Sequence, residues 1–186
     1  SEDAFVAAGF GVARHPVMYN DFVIIGPAGD PAGVVKATTA TAALELIAKQ
    51  GEAFVSRGDD SGTHKRELSL WAEAGVDVAA HSGTWYRETG SGMGATLNTA
   101  AAMDAYTLSD RGTWLSFRNK QRLKIVSQGD GNLRNQYGVI LVSPRRHPHV
   151  KFRLGQRFID WLLSPAGKAA IAAHKINGQQ LFFPNR

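Results

Sequence analysis

The stretch SRGDDSGTHK, residues 56–65, gathers within ten positions most of the residue types that can do chemistry. It contains Arg57 as a cation, Asp59 and Asp60 as carboxylates, and hydroxyl and glycine residues directly ahead of an amphipathic run. These residues fit four kinds of site: a serine nucleophile, an adhesion loop, a simple helix cap, or a cradle for an anion. The elements around the stretch have to decide among them.

A strand followed by glycine and hydroxyl residues at the start of a helix can bind an anion. The first turn of a helix leaves backbone N–H groups unpaired, and the helix dipole favours negative charge there. Ser61 and Thr63 add hydroxyl donors, and Gly62 lets the backbone approach closely because it has no Cβ. Arg57 adds charge and a planar set of donors. We expect one of the two following aspartates to fix this arginine and the other to cap the helix.

Three alternatives for this stretch can be weighed from the sequence. GDDSG is similar to the G-D-S-G nucleophile loop of trypsin-like proteases, but it has an extra aspartate and precedes a predicted helix. A serine nucleophile also needs a positioned base, and no histidine lies in a recognisable triad context among His15, His64, His81, His147, His149 and His174. RGD is too short to indicate adhesion, and the chain has no P-loop pattern. A plain helix cap stays open as the structural interpretation.

A second glycine-rich turn, TGSGMG at residues 89–94, also precedes a predicted helix. Backbone donors at Ser91, Gly92 and Met93 are candidates for a second anion contact, although glycines are also ordinary in tight turns. The HPH sequence at 147–149 does not predict a metal site, because a proline separates the histidines and no carboxylate is near. We expect no metal and no cofactor.

The composition is that of a globular protein with an anionic partner. The chain has 186 residues, of which 44% are hydrophobic and 20% charged, and no cysteine, so it has no disulfide or thiolate metal site. No apolar run approaches the roughly 20 residues of a membrane helix. The net charge of +5 favours an anionic partner. Nucleic acid is disfavoured because the basic residues are dispersed in short clusters with few interleaved aromatics.

The pattern of elements predicts an α/β fold. A helix is expected over TTATAALELIAKQG, with Thr39 or Thr41 as N-cap and Gly51 as C-cap. Another helix begins near Ser61, with an apolar face of Leu68, Trp71 and Ala72. Strands alternate with the helices, which predicts parallel pairing. Near the end of the chain, two helices are expected to meet at Ser164–Pro165.

Two long predicted strands, residues 17–25 and 136–142, bracket the middle of the chain. This arrangement indicates two crossings between two lobes. We expect residues 1–26 and 131–186 to form part of a first lobe, and residues 27–130 to form the second lobe, which carries the loop with Arg57.

Several long stretches together resemble one family. PVMYNDFVIIGPAGDPAG, FVSRGDDSGTHKRELSLW, TWYRETGSGMGATLNTAAAMDAYTLSDRGTW and YGVILVSPRRHPHV resemble the tungstate-binding proteins of bacterial ABC importers. Phosphate-binding proteins carry the related pattern R-S-D-G-S-G-T. The resemblance implies a type II periplasmic-binding-protein-like fold, with two α/β lobes joined by two crossing strands. It also implies that the ligand contacts include Arg57, Ser61, Gly62 and Thr63.

The resemblance also implies what the chain does and where it departs from the family. It implies a solute-binding protein, without enzymatic activity, that captures tungstate or molybdate and delivers it to a membrane permease. It implies a periplasmic or extracellular location, lipid-anchored or free. Family members open with a threonine- and serine-rich first-lobe segment that has no counterpart here, so we expect an incomplete first lobe completed by that segment or by a second chain. The alternatives are a serine hydrolase using Ser61 and a phosphate- or sulfate-binding protein of the same fold.

Overall fold

The fold is described over residues 2–185 by a computed structural model, and this part of the chain contains seven α-helices and nine strands. In chain order these are α1 (Glu2–Ala7), β1 (Gly11–Pro27), α2 (Ala40–Gln50), β2 (Phe54–Ser56), α3 (Gly62–Glu73), β3 (Tyr86–Glu88), α4 (Met93–Met103), β4 (Thr107–Asp110), α5 (Arg111–Ser116), β5 (Leu123–Ser127), β6 (Arg134–Val142), α6 (Phe152–Leu163), α7 (Pro165–Ala173), β7 (Lys175–Ile176), β8 (Gln179–Gln180) and β9 (Phe183–Pro184). Short 3₁₀ turns lie at Val34–Lys36, Val78–His81 and Gly131–Leu133. The predicted alternation of strands and helices is confirmed.

The chain divides into two compact units. Unit 1 takes in the chain up to Asn20 and from Asn135 onward, and unit 2 is Asp21–Arg134. The chain passes between the units twice, within β1 and at the start of β6. Both stretches bearing candidate site residues, 56–65 and 89–94, belong to unit 2.

Strand direction in unit 2 differs from the expected all-parallel pairing. β2 pairs with β3 in parallel, and an isolated bridge joins Phe54 to Tyr106 in the same sense. β1, however, runs antiparallel to both β4 and β5, with Phe22 opposite Asp110 and a register shift between Ile24 and Ile25 on the β5 side. The prediction of parallel pairing is therefore wrong for β1, because helical connections constrain only the strands they join. A single opposed strand in a mostly parallel sheet is common.

The core of unit 2 lies on both faces of this sheet because side chains alternate along β1. Phe22 and Ile24 pack with α2 and α3, whereas Val23 and Ile25 pack with α4 and α5. The two buried clusters hold α2 through Ala40, Ala43, Leu44 and Ile47, and α4 through Met93, Leu97, Ala100 and Ala101. Of the strands that end at the candidate site, β2 contributes Phe54 to one cluster and Val55 to the other, so both of its faces are covered.

The helix ends follow local sequence signals. The Thr39 hydroxyl accepts the Ala42 amide at 3.2 Å, and α2 ends at Gly51 in the left-handed conformation (φ 65°). Asp110 caps α5, and Ser164 caps α7 with Pro165 at its first position. The predicted caps of α2 and the predicted helix junction at Ser164–Pro165 are confirmed.

The buried face of α3 is not the one that its apolar residues predict. Leu68 is 39% exposed and Ala72 is exposed, whereas Glu67, Leu70 and Trp71 are buried. The buried spacing of i, i+3, i+4 is helical, but its first member is an acid. The buried face of α3 therefore includes a carboxyl group, and a search for apolar residues alone does not find it.

Unit 1 buries less of its described surface. β9 pairs antiparallel with β1 through Met18 and Tyr19, and β6 also pairs with β1. On α6, Ile159 is buried, while Phe158 and Trp161 are exposed. In the described part of the chain, no helix is long and apolar enough to cross a membrane.

Gly26 provides a test of how tightly β1 packs in unit 2. A Cβ at this position would lie 2.3 Å from Cδ1 of Tyr106, whose hydroxyl accepts from Ala32 N and donates to Asp30. The ring is therefore tethered and cannot move aside freely. We expect Gly26→Ala to lower the free energy of unfolding by about 1–3 kcal/mol, measured by urea denaturation. Gly29→Ala, where a Cβ would meet nothing within 4 Å, is the control, and equal losses in the two variants would contradict the packing argument.

Candidate oxyanion-binding site

The two glycine-rich stretches follow neighbouring parallel strands. Ser56 at the end of β2 lies opposite Glu88 at the end of β3. Because parallel strands end at the same edge of a sheet, the loops that follow them lie side by side, and this edge is where α/β proteins bind ligands. The loops, residues 57–61 and 89–92, lead into the N-termini of α3 and α4.

Hydrogen bonds join the two loops directly. Thr89 N donates to Ser56 O at 3.0 Å, and Ser91 N donates to Arg57 O at 3.1 Å. The Thr89 hydroxyl lies 3.3 Å from the carbonyl oxygens of both Ser56 and Arg57. The structure therefore brings the residues of the two sequence motifs together within unit 2.

Gly58 allows the loops to approach. Its φ of +59° is in the left-handed region, and a Cβ on it would lie 2.8 Å from Cβ of Glu88. Its amide donates to the Ser56 hydroxyl at 3.3 Å, so the turn after β2 is tied back to the strand. A side chain at this position would separate the loops.

Arg57 and Asp59 form an ion pair, which confirms that an aspartate fixes the arginine. Arg57 donates to Asp59 Oδ2 from Nε at 3.2 Å and from Nη2 at 2.5 Å, while Asp59 Oδ1 accepts the Ser61 amide at 3.2 Å. Hydrogen bonding by the Ser61 side chain and then by Arg57 lowers the pKa of Asp59 from 3.8 to about 2. Within residues 2–185, no hydrogen-bond acceptor meets Nη1 of Arg57. Part of the guanidinium is therefore free to bind a ligand.

The first turn of α3 begins at Ser61, whose hydroxyl accepts the His64 amide at 3.2 Å. The expectation that an aspartate caps this helix is wrong, because Asp60 has a left-handed φ of +58° and directs its exposed carboxylate to Lys65. Over the described residues, the amides of Gly62 and Thr63 and the Thr63 hydroxyl meet no acceptor. They are the donors that the anion hypothesis requires.

The N-terminus of α4 presents donors through its backbone. Gly92 is the N-cap and has no side chain to cap with, and the amide of Met93 meets no acceptor in the described chain. The Met93 side chain is only 6% exposed and packs in the core, so its amide is the candidate donor at this position. Ser91 differs, because its amide bonds Arg57 O and its hydroxyl donates to Thr89 O at 3.2 Å. Its amide joins the two loops, and its hydroxyl bonds within its own loop.

Sequence reasoning missed Glu67, which lies on α3 below the loops and is 1% exposed. Its carboxyl group accepts the Tyr86 hydroxyl at 2.7 Å and the Ser56 hydroxyl at 2.8 Å. Burial raises the pKa of Glu67 from 4.5 to about 7, although these hydrogen bonds oppose the shift. Burial and the neighbouring Glu67 also raise the pKa of Tyr86. The one signal in the sequence that could have indicated the burial of Glu67 is its helical spacing of i, i+3 and i+4 with Leu70 and Trp71.

Residues 1–166 match the family described as a PBP superfamily domain. The chain belongs to the PBP superfamily. This membership, with the fold described above, confirms the predicted α/β, periplasmic-binding-protein-like architecture.

Individual members of the PBP superfamily are similar to this chain at high identity. A Haloferax volcanii protein, provisionally named as an ABC transporter anion-binding protein, is 49% identical over 190 residues, which cover 100% of this chain and 55% of that protein. The tungstate-binding protein TupA of Peptoclostridium acidaminophilum is 43% identical over 189 residues, covering 100% of this chain and 65% of that protein. The solved structure of tungstate-binding protein TupA from Desulfovibrio alaskensis G20 is 49% identical, with a TM-score of 0.89 over 99% of this chain and 74% of that one.

These relatives confirm the resemblance to tungstate-binding proteins that the sequence motifs indicate. The chain spans 55% of the length of the Haloferax volcanii relative and 65% of the length of the Peptoclostridium acidaminophilum relative.

The buried carboxyl of Glu67 predicts a distinct dependence of stability on pH. A carboxyl group whose pKa rises on folding binds a proton more tightly in the folded chain, so its stabilising contribution is lost as pH rises from about 4.5 to about 7. Glu67→Gln removes this dependence. We expect its stability relative to the unmodified chain to increase across that range by at most about 3 kcal/mol, at about 1.4 kcal/mol per pH unit.

Chemical denaturation at several pH values between about 5 and 8 measures this difference. Glu45→Gln, which removes an exposed carboxylate from α2, is the matched control. A Glu67→Gln difference that stays constant with pH would show that the buried carboxyl does not titrate in this range.

Proposed function

We propose that this chain is a solute-binding protein of an ABC importer and captures a tetrahedral oxyanion, tungstate or its close analogue molybdate. The observation that carries the proposal is the pair of helix N-termini at adjoining parallel strand ends, with the free amides of Gly62, Thr63 and Met93 close to Arg57 in the fold. Relatives that are 43% and 49% identical are named for tungstate binding.

The donors suit a fully deprotonated dianion. In this proposal, amides and the Thr63 hydroxyl bind its oxygens, and Arg57 offsets part of its charge. The Gly62 and Thr63 amides and the Gly92–Met93 backbone form the ligand contacts in this proposal. Ser61, whose hydroxyl bonds Asp59 and accepts the His64 amide, would contact the anion only by giving up its bond to Asp59, and the Ser91 amide joins the loops. Asp59 holds Arg57 in place, so less side-chain entropy is lost when the anion binds.

Phosphate or sulfate binding is the second candidate. Asp59 carries an ionised carboxylate beside the donors, and this group could accept a proton-bearing oxygen of phosphate. Sulfate and tungstate carry no such proton at neutral pH, so they gain nothing from this acceptor. A preference for phosphate over tungstate would therefore favour phosphate binding through this acceptor, and a preference for sulfate over tungstate would favour sulfate binding.

Catalysis is not part of the proposed function. Ser61 Oγ accepts a backbone amide, and Nδ1 of His64 accepts the Asp60 amide at 3.1 Å. Nδ1 of His64 is thus bonded to an amide rather than to the serine hydroxyl, so within residues 2–185 this bond does not position the imidazole to activate Ser61. This arrangement argues against the serine-hydrolase alternative.

The proposal extends to lobes, partners and location. Residues 1–26 with 131–186 form the partial first lobe, and residues 27–130 form the second, which carries the oxyanion loop. The partner for delivery is the membrane permease of the importer, and the location is periplasmic or extracellular, lipid-anchored or free. The proposal also includes an N-terminal segment or a second chain that completes the first lobe.

Arg57→Ala tests the proposed site. Losing charge-assisted hydrogen bonds worth about 1.5–3 kcal/mol should weaken tungstate binding roughly ten- to a hundredfold in titration calorimetry. Arg118→Ala removes the same charge at an exposed position of unit 2 and should leave affinity unchanged. Equal effects of the two variants would contradict the site.

A thermal-shift series with tungstate, molybdate, sulfate and phosphate gives the independent measurement for the unmodified chain. A ligand at a hundred times its dissociation constant adds about 2.7 kcal/mol of stability. We expect tungstate and molybdate to raise the melting temperature most. A shift that only phosphate produces would favour the second candidate, and no shift with any anion would overturn oxyanion capture by this chain.

A further inference from the structure

Glu67 lies where three elements of the candidate site converge. It is on α3, its partner Ser56 ends β2, and its partner Tyr86 begins β3. It is the only acidic residue among the buried side chains of the described chain. The capture of an anion by backbone donors does not itself require a carboxyl group at this point.

The bond to Ser56 places Glu67 at the base of both loops. The Ser56 hydroxyl donates to Glu67 and accepts the Gly58 amide, while the Ser56 carbonyl accepts the Thr89 amide. Arg57 is the next residue after Ser56, and its carbonyl accepts the Ser91 amide. We therefore expect a change at the Glu67 carboxyl group to alter the positions of both loops, because Ser56 is hydrogen-bonded to each of them.

The charge of Glu67 also acts on the site. Glu67 is six residues beyond the cap Ser61, which is roughly 9 Å along the helix axis. A carboxylate at that distance, screened little by water, repels a bound dianion, whereas a protonated carboxyl does not. The other ionisable groups facing Glu67 are Tyr86 and Glu88 on β3, and His64 lies on the first turn of α3.

We propose that Glu67 is a positioning residue for the oxyanion loops, and that its protonation favours binding of the dianion. This inference rests on the proposed function. Its alternative is that Glu67 only stabilises the fold through a satisfied polar network, as buried hydrogen-bonded groups commonly do.

Three variants separate these roles. Glu67→Gln keeps the size of the side chain and one acceptor oxygen and removes its charge, Glu67→Ala removes the whole polar group, and Leu44→Ala destabilises the same core cluster from α2 without touching the loops. For each variant, hydrogen exchange is measured over residues 56–63 and 88–92, and tungstate affinity is measured between about pH 6.5 and about pH 8.5.

For the unmodified chain, we expect tungstate affinity to fall about threefold to tenfold as pH rises across this range. Glu67→Gln should flatten this dependence, apart from any contribution of His64, which both proteins share. Glu67→Ala should weaken binding at every pH and accelerate exchange in both loops, whereas Leu44→Ala should do neither.

The outcomes keep this inference apart from the proposed function. If the unmodified chain binds tungstate and Glu67→Gln keeps the full pH dependence, the charge coupling is overturned. If Glu67→Ala leaves exchange of both loops as slow as Leu44→Ala does, the positioning role is overturned, whether or not any anion binds. If the unmodified chain binds no oxyanion, the proposed function fails, and so does the coupling that depends on it.

Discussion

The parallel pairing of β2 with β3 is the constraint on which the site depends. Three residue pairs, ending with Ser56 opposite Glu88, set the register. Because both strands run the same way, both chains leave the sheet at the same edge and both next helices start there. An antiparallel arrangement would place the N-terminus of one helix at the opposite edge, and neither the Ser91–Arg57 nor the Thr89–Ser56 hydrogen bond could form.

Local signals made most elements predictable, whereas long-range relations were not. The caps at Thr39, Asp110 and Ser164 depend on side-chain bonds to amides three residues away, so a short stretch specifies them. The antiparallel direction of β1 depends on partners more than 80 residues along the chain, such as Asp110 opposite Phe22, and no periodicity records it. The same holds for Glu67, whose partners Ser56 and Tyr86 lie 11 and 19 residues away.

The part of the candidate site that the sequence predicts is the set of backbone amide donors at the start of α3. Glycine and hydroxyl residues after a strand indicate free amides, and the structure has them at Gly62 and Thr63 over the described residues. The sequence could not show which donors the fold itself consumes. Ser91 looks equivalent to its neighbours in the printed sequence, yet its amide and hydroxyl both bond carbonyl groups. Likewise, the choice between Asp59 and Asp60 as arginine partner depends on the left-handed turn at Asp60.

The pairing of Arg57 with Asp59 bears on how strongly such a site can hold an anion. An unpaired guanidinium would bring a full positive charge to the dianion, whereas this pair is close to neutral, so attraction depends more on oriented amide dipoles. Amide donors held by a two-faced core are already oriented, which reduces the entropic cost of binding. Binding by oriented amides with a partly neutralised cation favours fully deprotonated anions while keeping total electrostatic attraction moderate. A protein that must release its ligand to a partner needs this combination, because affinity gained from net charge alone would slow release without improving discrimination.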